Sequence, residues 1–547
     1  MIMSKPDLIL ENLRIMTLDP ALPRAGSVAV SGGKILAVSP EPKPDIACPR
    51  GTKRMDMGGR LMLPGFWDSH FHYYQWAMGR TFIPLDKAES FRHCLDMIRR
   101  KRDMILSGKE KKHWIQGQGF NESDWPENRM PLRRDLDQVC PDLPVLIWRC
   151  DLHLAVANSR ALELSSLHDH RQDPVQGLIG RDGNGKLNGI LLEEAINIVK
   201  KAVPELDLDK SVSIMDQAQS GLHALGITAI HDVRLAGNIS ESALTFRSWQ
   251  ALRQQKKLDL RCWTSIPGEE RSAVDEIGLR TGLGDEYLRV GHLKYFMDGG
   301  MGARTAWMID PYLDTHHNGL CIIPPEAMLE EILAAHRAGL AVMVHAIGDR
   351  TCHELVKIFG KVKSMLPQSL ISPALSHRIE HVQVIRDSDL KDLAGLDMPV
   401  SVQPANMILD INMINQCAGE TGKYAYAFRS MLDAGVQVLF SSDCPVCSPN
   451  PLVGIQGAVT RARSDQTPEG GWYPDQKISL EEAIRAYTSS PAKAYKSWDI
   501  QGSITPGKFA DMVVFEDNLF QADPFHLSKC RVAMTFFDGR IVYQQGT

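Results

Sequence analysis

LMLPGFWDSHFH, residues 61–72, sets a short apolar run directly before two histidines two positions apart. On a strand, residues two apart share a face, so His70 and His72 point the same way. Two parallel imidazoles make half of a metal site, and neutral imidazole is the commonest protein metal ligand. The run itself, Leu61 to Leu63, is the first of eight. The others are Ile227 to Ile230, Leu260 to Ile266, Leu288 to Phe296, Leu340 to Val344, Leu375 to Ile379, Pro399 to Val402 and Val436 to Phe440. Helical periodicity lies between most of them, as at Val212 to Leu225, Met328 to Ala338 and Asp387 to Ala394. Alternating strands and helices predict a parallel sheet, and eight repeats predict an α/β chain with a (β/α)8 TIM-like barrel. A doubly wound sheet competes, but it normally carries a well-placed glycine fingerprint for a dinucleotide, and none is present.

Outside these repeats the two ends read as short strands with turns between them, such as Gly32-Gly33 and Asp538-Gly539. Candidate strands are Leu8 to Leu10, Arg14 to Met16, Ser27 to Val30 and Lys34 to Val38. Towards the other end they are Gly502 to Ile504, Met512 to Phe515, Arg531 to Phe537 and Arg540 to Tyr543. We expect a composite β-sandwich from residues 1–60 and 496–547, since chain ends often meet in compact proteins. The barrel is expected over 61–495, with an insertion at about 80–208 after the first strand, a stretch too long for one crossover.

Barrels place reactive groups at the C-terminal ends of their strands. There the sequence offers Lys294 in LRVGHLKYFMDGG, His345 in VMVHAIGDR, His381 in HRIEHVQ and Asp443 in VLFSSDCPV. Each alone suits a satisfied core residue. Together with His70 and His72 they make a coincidence that favours a metal centre. Lys294 sits in an otherwise apolar strand. Most such lysines snorkel to the surface, but a strand covered on both faces would bury the amine and lower its pKa. A neutral amine can add carbon dioxide to give a carbamate, a bridging ligand type. Imidazole and carboxylate suit zinc, and zinc lowers the pKa of bound water to near neutrality. Asp443 is placed to accept a proton and pass it to a leaving nitrogen.

These segments resemble the amidohydrolase superfamily, and more closely its YtcJ-like branch, which includes N-substituted formamide deformylases. The similarity extends through NESDWPENRMPLRRDLDQVCPDLPV, HLAVANSRAL, GITAIHD, KYFMDGGMGARTA, SVQP, NPL and GSITPGKFADMVVF. The resemblance implies a distorted barrel plus a small β-sandwich. It implies His70, His72, Lys294, His345, His381 and Asp443 as metal ligands, a carboxylated Lys294 bridging two zinc ions, and Asp443 as the general base. In that arrangement His70 and His72 hold the more buried ion. The expected reaction is hydrolysis of a non-peptide carbon–nitrogen bond in a small amide or N-acyl or N-formyl compound. Gly300, in DGGMG, and Leu152, before His153, depart from the branch's pattern in loops expected to face substrate.

Other residues carry two readings. Asp124 and Trp125 lie in a polar loop of the insertion, where substrate contact and plain surface loop compete. His153 either orients a substrate carbonyl or caps a turn. Arg304 either clamps a substrate carboxylate or makes a structural ion pair. Gln403 either contacts substrate or, like His231, supports a ligand from behind. His316 and His317 are adjacent and read as loop residues.

Three alternatives remain. A deaminase on this scaffold usually places a glutamate soon after the fifth-strand histidine, whereas HAIGDR offers Asp349, and Lys294 would have no role. An ester or lactone hydrolase fits the same ligands. A non-catalytic regulator fits the fold, but the ligand set is complete. A net charge of −5 without a long basic run argues against nucleic acid. The opening MIMSKPDLILENLRIM lacks the zones of a signal peptide, and no apolar run approaches the ~20 residues of a membrane span. Eleven cysteines, an odd number without framework spacing, suit reduced thiols. Cys444 and Cys447 form one CxxC pair with no second pair to complete a zinc site. A cytoplasmic protein with a small-molecule substrate is expected, with no nucleic-acid or membrane partner; the assembly could be a homodimer.

Overall fold

The computed structural model describes residues 5–44, 51–109, 114–150, 154–174, 177–235, 238–366 and 376–546. The chain forms two compact units: the residues up to Tyr73 with those from Asp216 onward, and Tyr74–Met215.

The first unit holds an eight-stranded parallel barrel. Its strands are β1 (Phe66–Phe71), β2 (Ile227–Asp232), β3 (Arg261–Pro267), β4 (Leu288–Phe296), β5 (Val342–Ala346), β6 (Arg378–His381), β7 (Pro399–Val402) and β8 (Gln437–Phe440). They pair in chain order from β1 to β8. The last gap closes just beyond β8, where the Asp443 amide donates to His70 O and the His72 amide donates to Cys444 O, both at 2.9 Å. Crossover helices include Ile239–Gln254, Pro325–Arg337, Asp349–Met365 and Asp387–Gly395. All six β1 residues are buried, which is why the run reads as continuous rather than alternating.

One expected strand is displaced. Leu61–Leu63 does not open the barrel; it ends the strand Lys53–Pro64 and pairs antiparallel with Val513–Phe515 near the other chain end. Two buried apolar runs lie side by side here, and periodicity does not tell one buried strand from another. The hand-over falls at Gly65. A Cβ there would lie 2.2 Å from Thr228 Oγ1 on β2, so only glycine permits the approach.

Lys53–Pro64 also pairs parallel with Leu8–Met16. One hydrogen-bonded sheet thus joins strands from both ends of the chain. It curls back on itself, because the edge strand Lys34–Ser39 bonds to Lys508 and Gly507, just before Met512–Phe515. Leu8–Leu10 and Arg14–Met16 form one strand with a bulge at Asn12, whose φ of 54° suits asparagine. Gly502–Ile504 is an irregular bend rather than the expected strand; Ile504 reaches Thr17 O through a single amide bond of 2.8 Å.

The second unit has a six-stranded sheet that includes Ile115–Phe120, Val145–Arg149, Leu154–Ala157 and Leu187–Glu193. The helices Phe91–Leu106, Arg133–Val139 and Glu194–Lys200 accompany it, with apolar clusters of its own.

Candidate metal centre

The C-terminal ends of the barrel strands bring His70, His72, Lys294, His345, His381 and Asp443 to one place. The ligand atoms of His70, His72 and Asp443 lie within 4.8 Å of one another. Asp443 Oδ1 is 3.0 Å from His72 Nε2 and 3.4 Å from His70 Nε2. The His381 ring lies 5.1 Å from His70 and 4.3 Å from His345, centroid to centroid.

Each imidazole is anchored through one nitrogen. His70 Nδ1 donates to Glu380 Oε2 at 2.5 Å, and His72 Nδ1 donates to Val233 O at 2.9 Å. His345 Nε2 donates to Gly299 O at 3.3 Å, and His381 Nδ1 donates to Gln403 Oε1 at 2.8 Å. Carbonyls and carboxylates only accept, so the tautomers follow: the remaining nitrogen of each ring carries its lone pair. Among the described residues, His345 Nδ1 and His381 Nε2 have no hydrogen-bond partner. This is how metal-ligating histidines are normally supported.

Asp68 fastens the two strands that carry the tightest cluster. Its carboxylate accepts from the His70 amide at 3.2 Å and from the Ser442 amide at 3.1 Å. On the other side Asp298 accepts from the Ile347 and Gly348 amides and from Thr351, pinning the turn after His345. His381 and Asp443 adopt φ of 70° and 58°. That region costs non-glycine residues energy, and strain of this kind concentrates at functional sites.

Lys294 is 2% exposed, and its amine has no hydrogen-bond partner among the described residues. Burial pushes its pKa down to about 8, against the pull of the Glu380 and Asp443 carboxylates. Burial also pushes His381 down to about 3 and His345 well below the usual histidine range. Burial would raise the Asp443 carboxyl, but His70, His72 and His381 outweigh it and hold it well below the usual range. The donor set is therefore four imidazoles, with burial opposing a charge on His345 and His381, an ionised carboxylate and a partly neutral amine. That chemistry fits a divalent ion.

The residues with two readings resolve differently. Gln403 stands behind His381, with its amide nitrogen on Ser441 Oγ at 3.0 Å. Arg304 is committed to Asp314 at 2.7 Å and to the Met301 and Gly302 carbonyls. Trp125 is 3% exposed in the core of the second unit, donating to Ala88 O at 2.8 Å. Asp124 is exposed and accepts from Asn121 at 2.7 Å. His231 bonds to Tyr495 Oη at 2.6 Å. His153 and Leu152 lie outside the described residues.

Sequence reading missed Arg378 and Glu380. Both are fully buried on β6 and paired, the Arg378 Nε donating to Glu380 Oε1. Two opposite charges two apart on a short buried strand share a face, and that was the available signal.

The fold and the site together define a metal-dependent hydrolase. A model described as the amidohydrolase family matches residues 53–543, nearly the whole chain. The chain belongs to that family. It is 29% identical over 545 residues to protein LONG AFTER FAR-RED 3 of Arabidopsis thaliana, covering 98% of this chain and 91% of that one. It is 27% identical over 554 residues to the N-substituted formamide deformylase of Arthrobacter pascens, covering 98% of each. Among solved structures, an uncharacterized metal-dependent hydrolase from Pyrococcus furiosus superposes with a TM-score of 0.74 at 25% identity, over 95% of this chain and 99% of that one.

Proposed function

We propose that the protein hydrolyses a non-peptide carbon–nitrogen bond of a small amide, N-acyl or N-formyl compound, using two zinc ions bridged by a carboxylated Lys294. The observation that carries this reading is the Lys294 amine, buried beside Asp443 without a hydrogen-bond partner among the described residues, in a barrel mouth of four anchored imidazoles. The printed activity of the Arthrobacter relative supports the choice of bond.

His70, His72 and Asp443 would hold one ion, His345 and His381 the other. Lys294 in its neutral form would take up carbon dioxide, forming a nitrogen–carbon bond and releasing one proton, and the resulting carbamate would help to hold the ions. When bound, such ions lower the pKa of water and polarise a carbonyl. Asp443 takes a proton from the attacking water as its oxygen bonds to the carbonyl carbon. The carbon–nitrogen bond then breaks, and Asp443 returns the proton to the departing nitrogen, leaving an acid and an amine. Gln403, Val233 O, Gly299 O and Glu380 keep the imidazoles aimed throughout. A small-molecule substrate and a cytoplasmic setting belong to the same reading. No disulfide joins the described cysteines, and no helix among the described residues is long and apolar enough to cross a membrane.

The test is reconstitution with zinc and bicarbonate, elemental analysis, and a screen of formamides, N-acyl amines, N-acyl amino acids and cyclic ureides, with lactones alongside. About two ions per chain and turnover of an amide are expected. Failure to retain metal would sink the reading, and turnover of lactones alone would overturn the bond assignment.

A further inference from the structure

The four imidazoles are anchored, but their anchors are not equivalent. Three rest on neutral oxygens: Val233 O, Gly299 O and Gln403 Oε1. His70 rests on the carboxylate of Glu380, at 2.5 Å. Glu380 is 0% exposed and its other oxygen accepts from Arg378. Arg378 donates through its other two nitrogens to Tyr495 Oη and to Ser69 O, the latter at 2.9 Å. Ser69 immediately precedes His70. One guanidinium therefore fixes both the carboxylate behind the His70 ring and the backbone beside it.

The physical consequence is directional. A charge-assisted hydrogen bond is roughly twice as strong as a neutral one. A carboxylate behind an imidazole also draws on its N–H and makes the opposite nitrogen a better donor to a metal. Neutral carbonyl and amide anchors fix a ring's orientation but enrich it less. Tyr495, wedged between Arg378 and His231, closes the support from below.

We propose that Glu380, held by Arg378, which Tyr495 in turn holds, is a positioning residue that makes the His70–His72–Asp443 half of the centre the tight metal site and leaves the His345–His381 half the exchangeable one. This rests on the two-ion reading above. The competing account is that Glu380 only neutralises the buried Arg378.

The experiment uses the full chain loaded with zinc and equilibrated against a series of chelator concentrations, with zinc retained per chain as the readout. Cobalt absorption follows the coordination in parallel. The wild type should release zinc in two steps. Glu380→Gln should weaken the tight step by about 10–100-fold and leave the loose step in place. The reason is that one amide oxygen cannot serve both Arg378 and His70 as two carboxylate oxygens do. Gln403→Leu, which removes the neutral anchor of His381, should weaken the loose step instead.

A tight step unchanged in Glu380→Gln overturns the proposal while leaving the two-ion reading intact. A wild type that binds no zinc sinks that reading, and this inference with it. Where Glu380→Gln fails to fold, the paired variant Arg378→Met/Glu380→Gln removes both charges. Recovery of the wild-type tight step in that pair shows a counter-ion role only, whereas a tight step that stays weak supports positioning. The zinc-loaded wild type, labelled with nitrogen-15 histidine, gives a measurement that needs no variant. One imidazole N–H proton should resonate well downfield of the others, and its absence overturns the carboxylate anchor.

Discussion

In the barrel unit, polar residues at the strand ends keep atoms in reserve: each of the four imidazoles is anchored through one nitrogen, the far nitrogens of His345 and His381 have no hydrogen-bond partner among the described residues, and neither does the Lys294 amine. In the Tyr74–Met215 unit, the two described residues that looked functional are already satisfied. Trp125 spends its N–H on Ala88 O and its ring on Phe91 and Phe120, and Asp124 accepts from Asn121. A group committed to its own neighbours is structural. A buried group left uncommitted costs stability and needs a function to account for it.

The contrast breaks most sharply at Asp443. Asp443→Asn should keep the circular dichroism spectrum and lower turnover by about 10²–10⁴-fold, the range for loss of a general acid–base group. Near-normal turnover would mean that its convergence with His70 and His72 is structural.

Lys294→Met probes the same contrast from the stability side. Zinc retention should fall by at least about 100-fold, beyond what loss of an outer partner costs. The metal-free melting temperature should hold or rise, because the substitution removes a buried amine with no hydrogen bond among the described residues. A large drop in metal-free stability would show that the amine is structurally committed after all.

Trp125→Ala is the mirror image. It should destabilise the second unit by about 3–5 kcal/mol, as large-to-small core changes do, while zinc per chain stays unchanged. The exposed neighbour gives the smallest effect: Asp124→Ala should shift stability by no more than about 0.5 kcal/mol. A loss of kcat/KM beyond tenfold in that variant would move this loop from surface to substrate contact.

Much of the barrel was legible because its strands are buried on both faces and so read as unbroken apolar runs. Seven of the eight strands fall on or beside the runs that the sequence marks, and β1 begins at Phe66, three residues after the marked run ends. That shift was illegible because Leu61–Leu63 and Phe66–Phe71 are equally apolar, and only the close approach of Gly65 to Thr228 separates them. At the site, HxH, the strand-end histidines and the lysine in an apolar strand were visible as chemistry out of place. Arg304 and Gln403 were ambiguous because an arginine or amide reads the same whether its partner is Asp314, His381 or a substrate.

By itself the sequence determined which residue types arrive at which strand ends, because periodicity and burial fix the side a residue faces. Tertiary structure alone decided the partners. The parallel register that sets His345 level with Glu380 and Ala346 level with His381 is a property of paired strands, not of either strand. The bonds from Asp443 to His70 and from His72 to Cys444 join residues some 370 positions apart. Hydrogen bonds are short and directional, so which groups satisfy one another and which are left bare is settled only when distant segments meet.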